Sequence, residues 1–146
     1  KPAERLKRFI AVKRHTKRLG HLLLLADSAR LARKWGADGV HGHHWKRHET
    51  DDLLRSAPVH DAEEIRRAKE KGAELFFLSP IFSTQSHPGQ KPLNGSQVMR
   101  LSQLCNAPII LLGGMNGTRF RQCGHWSAHG WAAIDSLSHQ SKHSKY

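Results

Sequence analysis

Cysteine is nearly absent: Cys105 and Cys123 are the only two, and no CxxC pair occurs. A disulfide framework and a cysteine-based zinc site are thereby excluded, and the simplest setting for two lone thiols is a reduced, cytoplasmic one. Long apolar runs are missing too. The longest aliphatic stretch, Leu22 to Leu25, falls far short of the ~20 residues that a membrane-spanning helix needs. The start, Lys1-Pro2-Ala3-Glu4-Arg5, lacks the apolar core of a secretory signal. Aromatic residues make up 7% of the chain, with a single Tyr, too few and too scattered for a base-stacking surface. No nucleic-acid motif accompanies them, so nucleic acid is not the expected partner.

Acidic residues are scarce as well. Twelve Asp and Glu stand against 24 Lys and Arg, giving a formal charge of +12 and a sequence pI near 10.4. Such an excess draws anions, whether nucleic acid, an acidic surface or a phosphorylated small molecule. Much of it lies on what reads as a solvated helix face, namely Arg5, Lys7, Arg8, Lys13, Arg14, Lys17 and Arg18, so charge alone selects no partner.

What remains is one domain's worth of chain, 146 residues, with a mean hydropathy of −0.61. It has no starting Met and is expected to begin inside a longer chain. Leu6, Phe9, Ile10, Val12 and Leu19 recur mainly at helical spacing from Ala3 to Leu19, and Gly20 stops that helix. Leu22 to Ala26 reads as a buried strand, and Asp27-Ser28 caps a helix running to about Trp35. Gly36 to His41 is a turn into a short strand, and Ser56 to His60 is another strand. Asp61 opens a helix to about Lys71, with Glu63 and Glu64 in its first turn, where the helix dipole favours negative charge. Leu75 to Leu78 is a strand covered on both faces, and Gly95 to Cys105 a helix. Ala107 to Leu112 is a strand ending at Gly113-Gly114, Gly117 to Cys123 a helix, and Trp131 to Ile134 the last strand.

Strands alternating with helices, without hairpin signals, imply a parallel sheet with crossover helices. Residues 1–137 are expected to form one domain and residues 138–146 a disordered polar tail.

In parallel α/β proteins the loops after the strands carry the site. After Leu78 the chain reads Ser79-Pro80-Ile81-Phe82-Ser83-Thr84-Gln85-Ser86-His87-Pro88-Gly89, a cluster of hydroxyls suited to gripping a polar ligand. Gly113-Gly114 follows the penultimate strand, where backbone N–H groups can approach an anion closely. Asp135-Ser136 follows the last strand; the serine hydroxyl can help hold a phosphate that the aspartate would repel. The stretch His41 to Thr50 holds His41, His43, His44 and His48 around Trp45, Lys46 and Arg47. It has no cysteine, no carboxylate before Glu49 and no strong helical signal to fix the His44 and His48 spacing, so a solvated basic loop near an anionic ligand is expected rather than a metal site.

Four segments match a known pattern in order and spacing: Gly36-Ala37-Asp38-Gly39-Val40-His41, Val59-His60-Asp61-Ala62-Glu63-Glu64, Gly72-Ala73-Glu74 with Ser79 to Ser86, and Pro108 to Met115. Over about residues 20 to 137 the chain resembles the thiamine-phosphate synthase and TenI family. That resemblance implies a TIM-type (β/α) barrel, here with about six of eight strands. The first two strands would lie upstream of Lys1, leaving exposed edges that favour homo-oligomers.

The activity implied is transfer of a hydroxymethylpyrimidine diphosphate onto a thiazole phosphate, with Mg²⁺ on the diphosphate. By the same resemblance Thr84 and Ser86 match hydroxyls around the diphosphate and pyrimidine, Gly113 and Gly114 match the thiazole-phosphate loop, and Asp27 matches a magnesium carboxylate. His60 resembles the catalytic histidine of the TenI branch, a thiazole tautomerase that needs an acid/base group and no metal.

The chain departs from the family pattern at several places. Ala26 replaces an asparagine, Pro58 replaces a serine, and Asp135 displaces the phosphate-loop serine. Lys46 falls on or near the second metal carboxylate, which leaves Mg²⁺ a single carboxylate and lets Lys46 neutralise diphosphate as a point charge. His87 stands in place of a lysine, so the charge there would vary with pH. A catalytically silent basic barrel that binds phosphate or nucleic acid is the reading from a different class.

Overall fold

The computed structural model describes residues 2–83, 89–124 and 126–134. The chain divides into two compact units, residues 1–57 and 58–146.

The first unit opens with α1, Pro2–Arg18, followed by β1, Leu24–Leu25, α2, Ala29–Trp35, and β2, Gly39–His41. A short 3-10 turn, Arg47–Glu49, leads to β3, Leu54–Val59, which runs on into the second unit. Phe9, the buried residue of α1, sets its ring 5.2 Å from that of Trp35. The Lys13 ammonium donates to the Trp35 carbonyl at 2.9 Å, so the C-terminal end of α2 is held by a cation as well as by apolar packing. Gly36 ends α2 in the left-handed region (φ 67°), with its N–H returned to the carbonyls of Ala32 and Arg33. β1 and β2 pair in parallel, Leu24 opposite Gly39, and β2 pairs in parallel with β3, Gly39 opposite Leu54. Gly39 has to be glycine, because a Cβ there would strike the Leu54 carbonyl oxygen.

The second unit continues with α3, Ala62–Glu70, β4, Leu75–Leu78, α4, Gly95–Leu104, β5, Ile109–Leu111, α5, Gly117–Gln122, and β6, Gly130–Trp131. β4 pairs in parallel with β5, Phe76 opposite Ile109, and β5 in parallel with β6, Ile110 opposite Gly130. Phe76, Leu78, Val59, Ile65, Val98, Leu111 and Met115 are all but fully buried and form the core of this unit. The helices start on side-chain caps: Asp61 accepts from the Glu64 N–H, Asn94 forms a reciprocal capping box with Gln97, and Asn116 accepts from the Arg119 N–H.

The sheet order is β1-β2-β3-β4-β5-β6, six strands with sequential neighbours, as the alternation of strands and helices implied. Among the described residues β1 and β6 each have one strand neighbour, so the order is not circular.

Several strand limits differ from those expected. The Leu22 to Ala26 strand shrinks to two residues, because the Asp27 N–H turns back onto the Leu25 carbonyl at 2.9 Å and Leu22 is left 65% exposed. The Ser56 to His60 strand starts earlier, since Leu54 and Arg55 pair with Gly39 and Val40. It also stops before His60, whose N–H is claimed by the Glu64 carboxylate. The last strand is Gly130–Trp131 rather than Trp131 to Ile134; Ile134 is 66% exposed. The tail expected at 138–146 lies outside the described residues.

Phe76 carries the core of the second unit, and Leu104, 41% exposed at the end of α4, does not. Phe76→Ala should cost about 3–5 kcal/mol, and Leu104→Ala less than about 1 kcal/mol, measured by urea denaturation. Equal losses at the two positions would refute this account of the core.

Candidate functional site

In the second unit the chain leaving β4 does not separate from the chain leaving β5. The Leu112 N–H donates to the Leu78 carbonyl at 2.9 Å, the Ile81 N–H to the Leu112 carbonyl at 3.0 Å, and the Phe82 N–H to the Gly113 carbonyl at 3.0 Å. Leu93 returns after the hydroxyl loop and donates to the Pro80 carbonyl at 2.9 Å. The Ser79–Pro80 peptide bond within this segment is cis.

Gly113 and Gly114 both have positive φ, 95° and 59°. A Cβ on Gly113 would lie 3.0 Å from the Pro80 Cα, and one on Gly114 would lie 2.8 Å from the Ser83 carbonyl oxygen. The missing side chains thus make room for the Pro80 to Ser83 backbone, a role the sequence reading did not assign. Their amides remain available: among the described residues neither the Gly113 nor the Gly114 N–H donates to an acceptor. Thr84, Ser86 and His87, expected to bind or act on substrate, and Ser136 after β6, lie outside the described residues, as does Asp135.

Arg119, which sequence reasoning missed, meets this glycine pair. Its guanidinium donates to the Gly114 carbonyl and stacks over the Phe82 ring, 4.7 Å from ring centroid to Cζ. The signal available in the sequence was Asn116 capping a helix whose third residue is basic, immediately after Gly113-Gly114.

His60 sits just past the end of β3. Its ring Nδ1–H and its backbone N–H both donate to Oε2 of Glu64, each at 2.8 Å. A carboxylate can only accept, so in the neutral ring Nδ1 carries the proton and Nε2 the lone pair. With its side chain 35% exposed, His60 is a partly open imidazole of fixed tautomer, suited to proton transfer.

In the first unit Asp27 is held by Arg5, whose guanidinium donates to Oδ2 at 2.5 Å and to the Ala26 carbonyl at 3.1 Å. Oδ1 accepts from the Ser28 N–H at 2.7 Å. Arg5 also lies over the Trp35 ring at 5.5 Å, which ties this pair to the α1 and α2 packing. Lys46 is exposed and lies 3.8 Å from a Glu49 carboxylate oxygen. Trp45 is buried, at 2% exposure, and Thr50 donates to the carbonyls of Lys46 and Arg47 at 3.0 Å. The histidine-rich loop is therefore anchored at Trp45 and Thr50, while His43, His44, Lys46 and His48 face solvent. His41 is half-buried and pairs through Nδ1 with the Ser56 hydroxyl at 2.9 Å.

These donors do not fit a magnesium ion. Both oxygens of Asp27 already have partners, the first of them a guanidinium, and Mg²⁺ favours a nearly octahedral set of hard oxygens with carboxylates among them. Among the described residues no group of three or more His, Cys, Asp or Glu can hold a metal.

The hydrogen bond from Arg5, reinforced by the Ser28 amide, holds the Asp27 carboxyl below its ordinary 3.8. A lowered folded-state pKa contributes stability that is complete above the unfolded value and is lost as pH falls through the folded one. Arg5→Gln should move the Asp27 titration midpoint upward and shift that loss to higher pH. An Asp27 carboxyl titration by NMR that is unchanged in Arg5→Gln would contradict this pairing.

The chain is similar to known proteins over most of its length. The family model described as thiamine monophosphate synthase matches residues 1–137. A protein of Aquifex aeolicus provisionally named thiamine-phosphate synthase 2 is 30% identical over 125 residues, covering 82% of this chain and 67% of its own length. A thiamine-phosphate synthase of Caldicellulosiruptor saccharolyticus is 26% identical over 120 residues, covering 77% of this chain and 54% of its own. The chain thus spans about half to two thirds of these relatives. Among solved structures, the thiamine phosphate pyrophosphorylase from Pyrococcus furiosus superposes with a TM-score of 0.76 at 20% identity, over 92% of this chain and 67% of the other, and supports the TIM-type fold. With a family match across nearly its whole length, the chain belongs to the thiamine monophosphate synthase family.

Proposed function

We propose that the chain acts in thiamine-phosphate synthesis, joining a hydroxymethylpyrimidine diphosphate to a thiazole phosphate. The observation that carries this reading is the family match over residues 1–137, together with the two unengaged amides of Gly113 and Gly114 after β5. In the proposed reaction the bond between the pyrimidine methylene and the diphosphate oxygen breaks, and diphosphate leaves with the electron pair. The thiazole nitrogen lone pair then forms the new C–N bond. No proton has to be abstracted from carbon, so the protein's part is positioning and charge stabilisation. Gly113 and Gly114 bind the thiazole phosphate through main-chain N–H groups, which approach the anion without intervening side chains. Thr84 and Ser86 are assigned to the diphosphate and pyrimidine, Ser136 to the phosphate, and His87 to a charge that titrates near neutrality. Lys46 supplies a point charge to diphosphate; in this reading Lys46→Ala slows synthesis, and an unchanged rate would remove Lys46 from it.

The geometry of His60 favours a second reading, thiazole tautomerisation. That reaction removes a proton at one atom and returns one at another, and needs an acid/base group with no metal. His60, with Nδ1 held by Glu64 and Nε2 carrying the lone pair, supplies such a group.

The test is product formation from the two phosphorylated substrates, with and without Mg²⁺, followed by mass spectrometry. Thiamine phosphate is the expected product, and absence of both product and thiazole-phosphate binding would overturn the first reading. For the second, His60→Gln should lower the tautomerisation rate by at least about 100-fold while leaving thiazole-phosphate affinity unchanged. Equal rates in both proteins would remove His60 from catalysis.

A further inference from the structure

We infer that Arg119 is a phosphate-binding residue of the glycine loop and supplies the permanent positive charge of this subsite. The inference rests on the reading of Gly113 and Gly114 as the anion loop and adds to it a side chain that the sequence comparison did not single out.

Four observations converge on it. Arg119 is half-buried, and among the described residues no carboxylate pairs with it. By contrast Arg5, Arg33 and Arg66 each face an aspartate or glutamate. A partly desolvated guanidinium without an anion is an unbalanced charge that favours an anionic ligand. Its position is fixed by the Phe82 ring beneath it and the Gly114 carbonyl beside it, so little freedom is lost when a ligand arrives. The guanidinium has five N–H donors and the Gly114 carbonyl takes one, leaving the fork geometry that suits phosphate oxygens. The terminal nitrogen of Arg119 is 3.2 Å from where a Gly114 Cβ would stand, which places the charge against Gly114, one of the two residues with unengaged amides.

A neutral amide pair alone discriminates poorly between a phosphate and another acceptor. Adding a fixed cation gives the loop a preference for phosphate over the corresponding alcohol, and Arg119 sets that preference.

Calorimetric titration of the chain with hydroxyethylthiazole phosphate and with the unphosphorylated hydroxyethylthiazole measures it. Arg119→Gln should weaken phosphate-ligand binding by about 10- to 100-fold, the range for loss of a hydrogen bond to a charged group. Binding of the alcohol should change by less than about 2-fold. Arg119→Lys, which keeps the charge but not the fork, should fall between the two proteins. Arg121→Ala, on the same helix and with a side chain that among the described residues bonds Thr118 at 3.2 Å, should leave both affinities unchanged and controls for net charge. Far-UV circular dichroism and Tm identify any variant that loses the fold, and the Lys variant then carries the comparison. If the unsubstituted chain prefers the phosphate and Arg119→Gln retains that preference, the inference about Arg119 fails while the glycine-loop reading stands. If the unsubstituted chain shows no preference for the phosphate, the glycine-loop reading fails and Arg119 loses its role with it.

Discussion

The arrangement of the second unit beyond its strands depends on main-chain hydrogen bonds that continue after β4 and β5 have ended. Ile81 to Leu112 and Phe82 to Gly113 extend the pairing past the strands, and this extension requires two successive residues without a Cβ. Buried backbone donors and acceptors must find partners, and here each exit loop satisfies the other. Phe82 is thereby placed where Arg119 can stack on it, and the Gly113 and Gly114 amides are turned away from the pairing. The two exits are held to each other by main-chain hydrogen bonds, as a site that works by positioning requires.

A second layer of order comes from short polar side chains at the helix starts. Ser28, Asp61, Asn94 and Asn116 each accept a backbone N–H of the first turn, so the junctions from strand to helix are pinned. The candidate site residues lie one or two positions from these caps: His60 precedes Asp61, and Gly114 lies two residues before Asn116. The caps thereby fix the backbone beside these residues.

The alternation of strands and helices was legible in the sequence because each apolar run is bounded by glycine, proline or a capping residue. Asp61 as a cap and Leu75 to Leu78 as a strand follow from such local rules and match the structure. Strand limits were less legible, since they depend on long-range partners: Leu54 and Arg55 join β3 only because Gly39 and Val40 lie alongside. The burial of Trp45 was hidden for a similar reason, as its neighbours in sequence are charged. Gly113 and Gly114 are legible as an anion-approach pair from their place after the penultimate strand, but their fit against Pro80 to Ser83 is not, because it concerns two loops separated by many residues in the chain. Arg119 looked like one more surface cation among the 24 basic residues. Only the positions of Phe82 and the Gly114 carbonyl distinguish it. Asp27 was read as a metal ligand by its place in the motif, and its pairing with Arg5, on a different helix, had no local signature.

Glu64 shows how closely scaffold and chemistry are joined here. One of its oxygens accepts from both the backbone and the ring of His60, while its own N–H rests on Asp61. The carboxylate therefore ends a strand and selects an imidazole tautomer, while the amide of the same residue closes the first turn of a helix on Asp61. Replacing Glu64 by a residue without a carboxylate disturbs the strand end and the imidazole orientation together. Change at this position is correspondingly constrained: a side chain must satisfy the amide and the ring nitrogen of His60 together, which a glutamate at this spacing does with one oxygen.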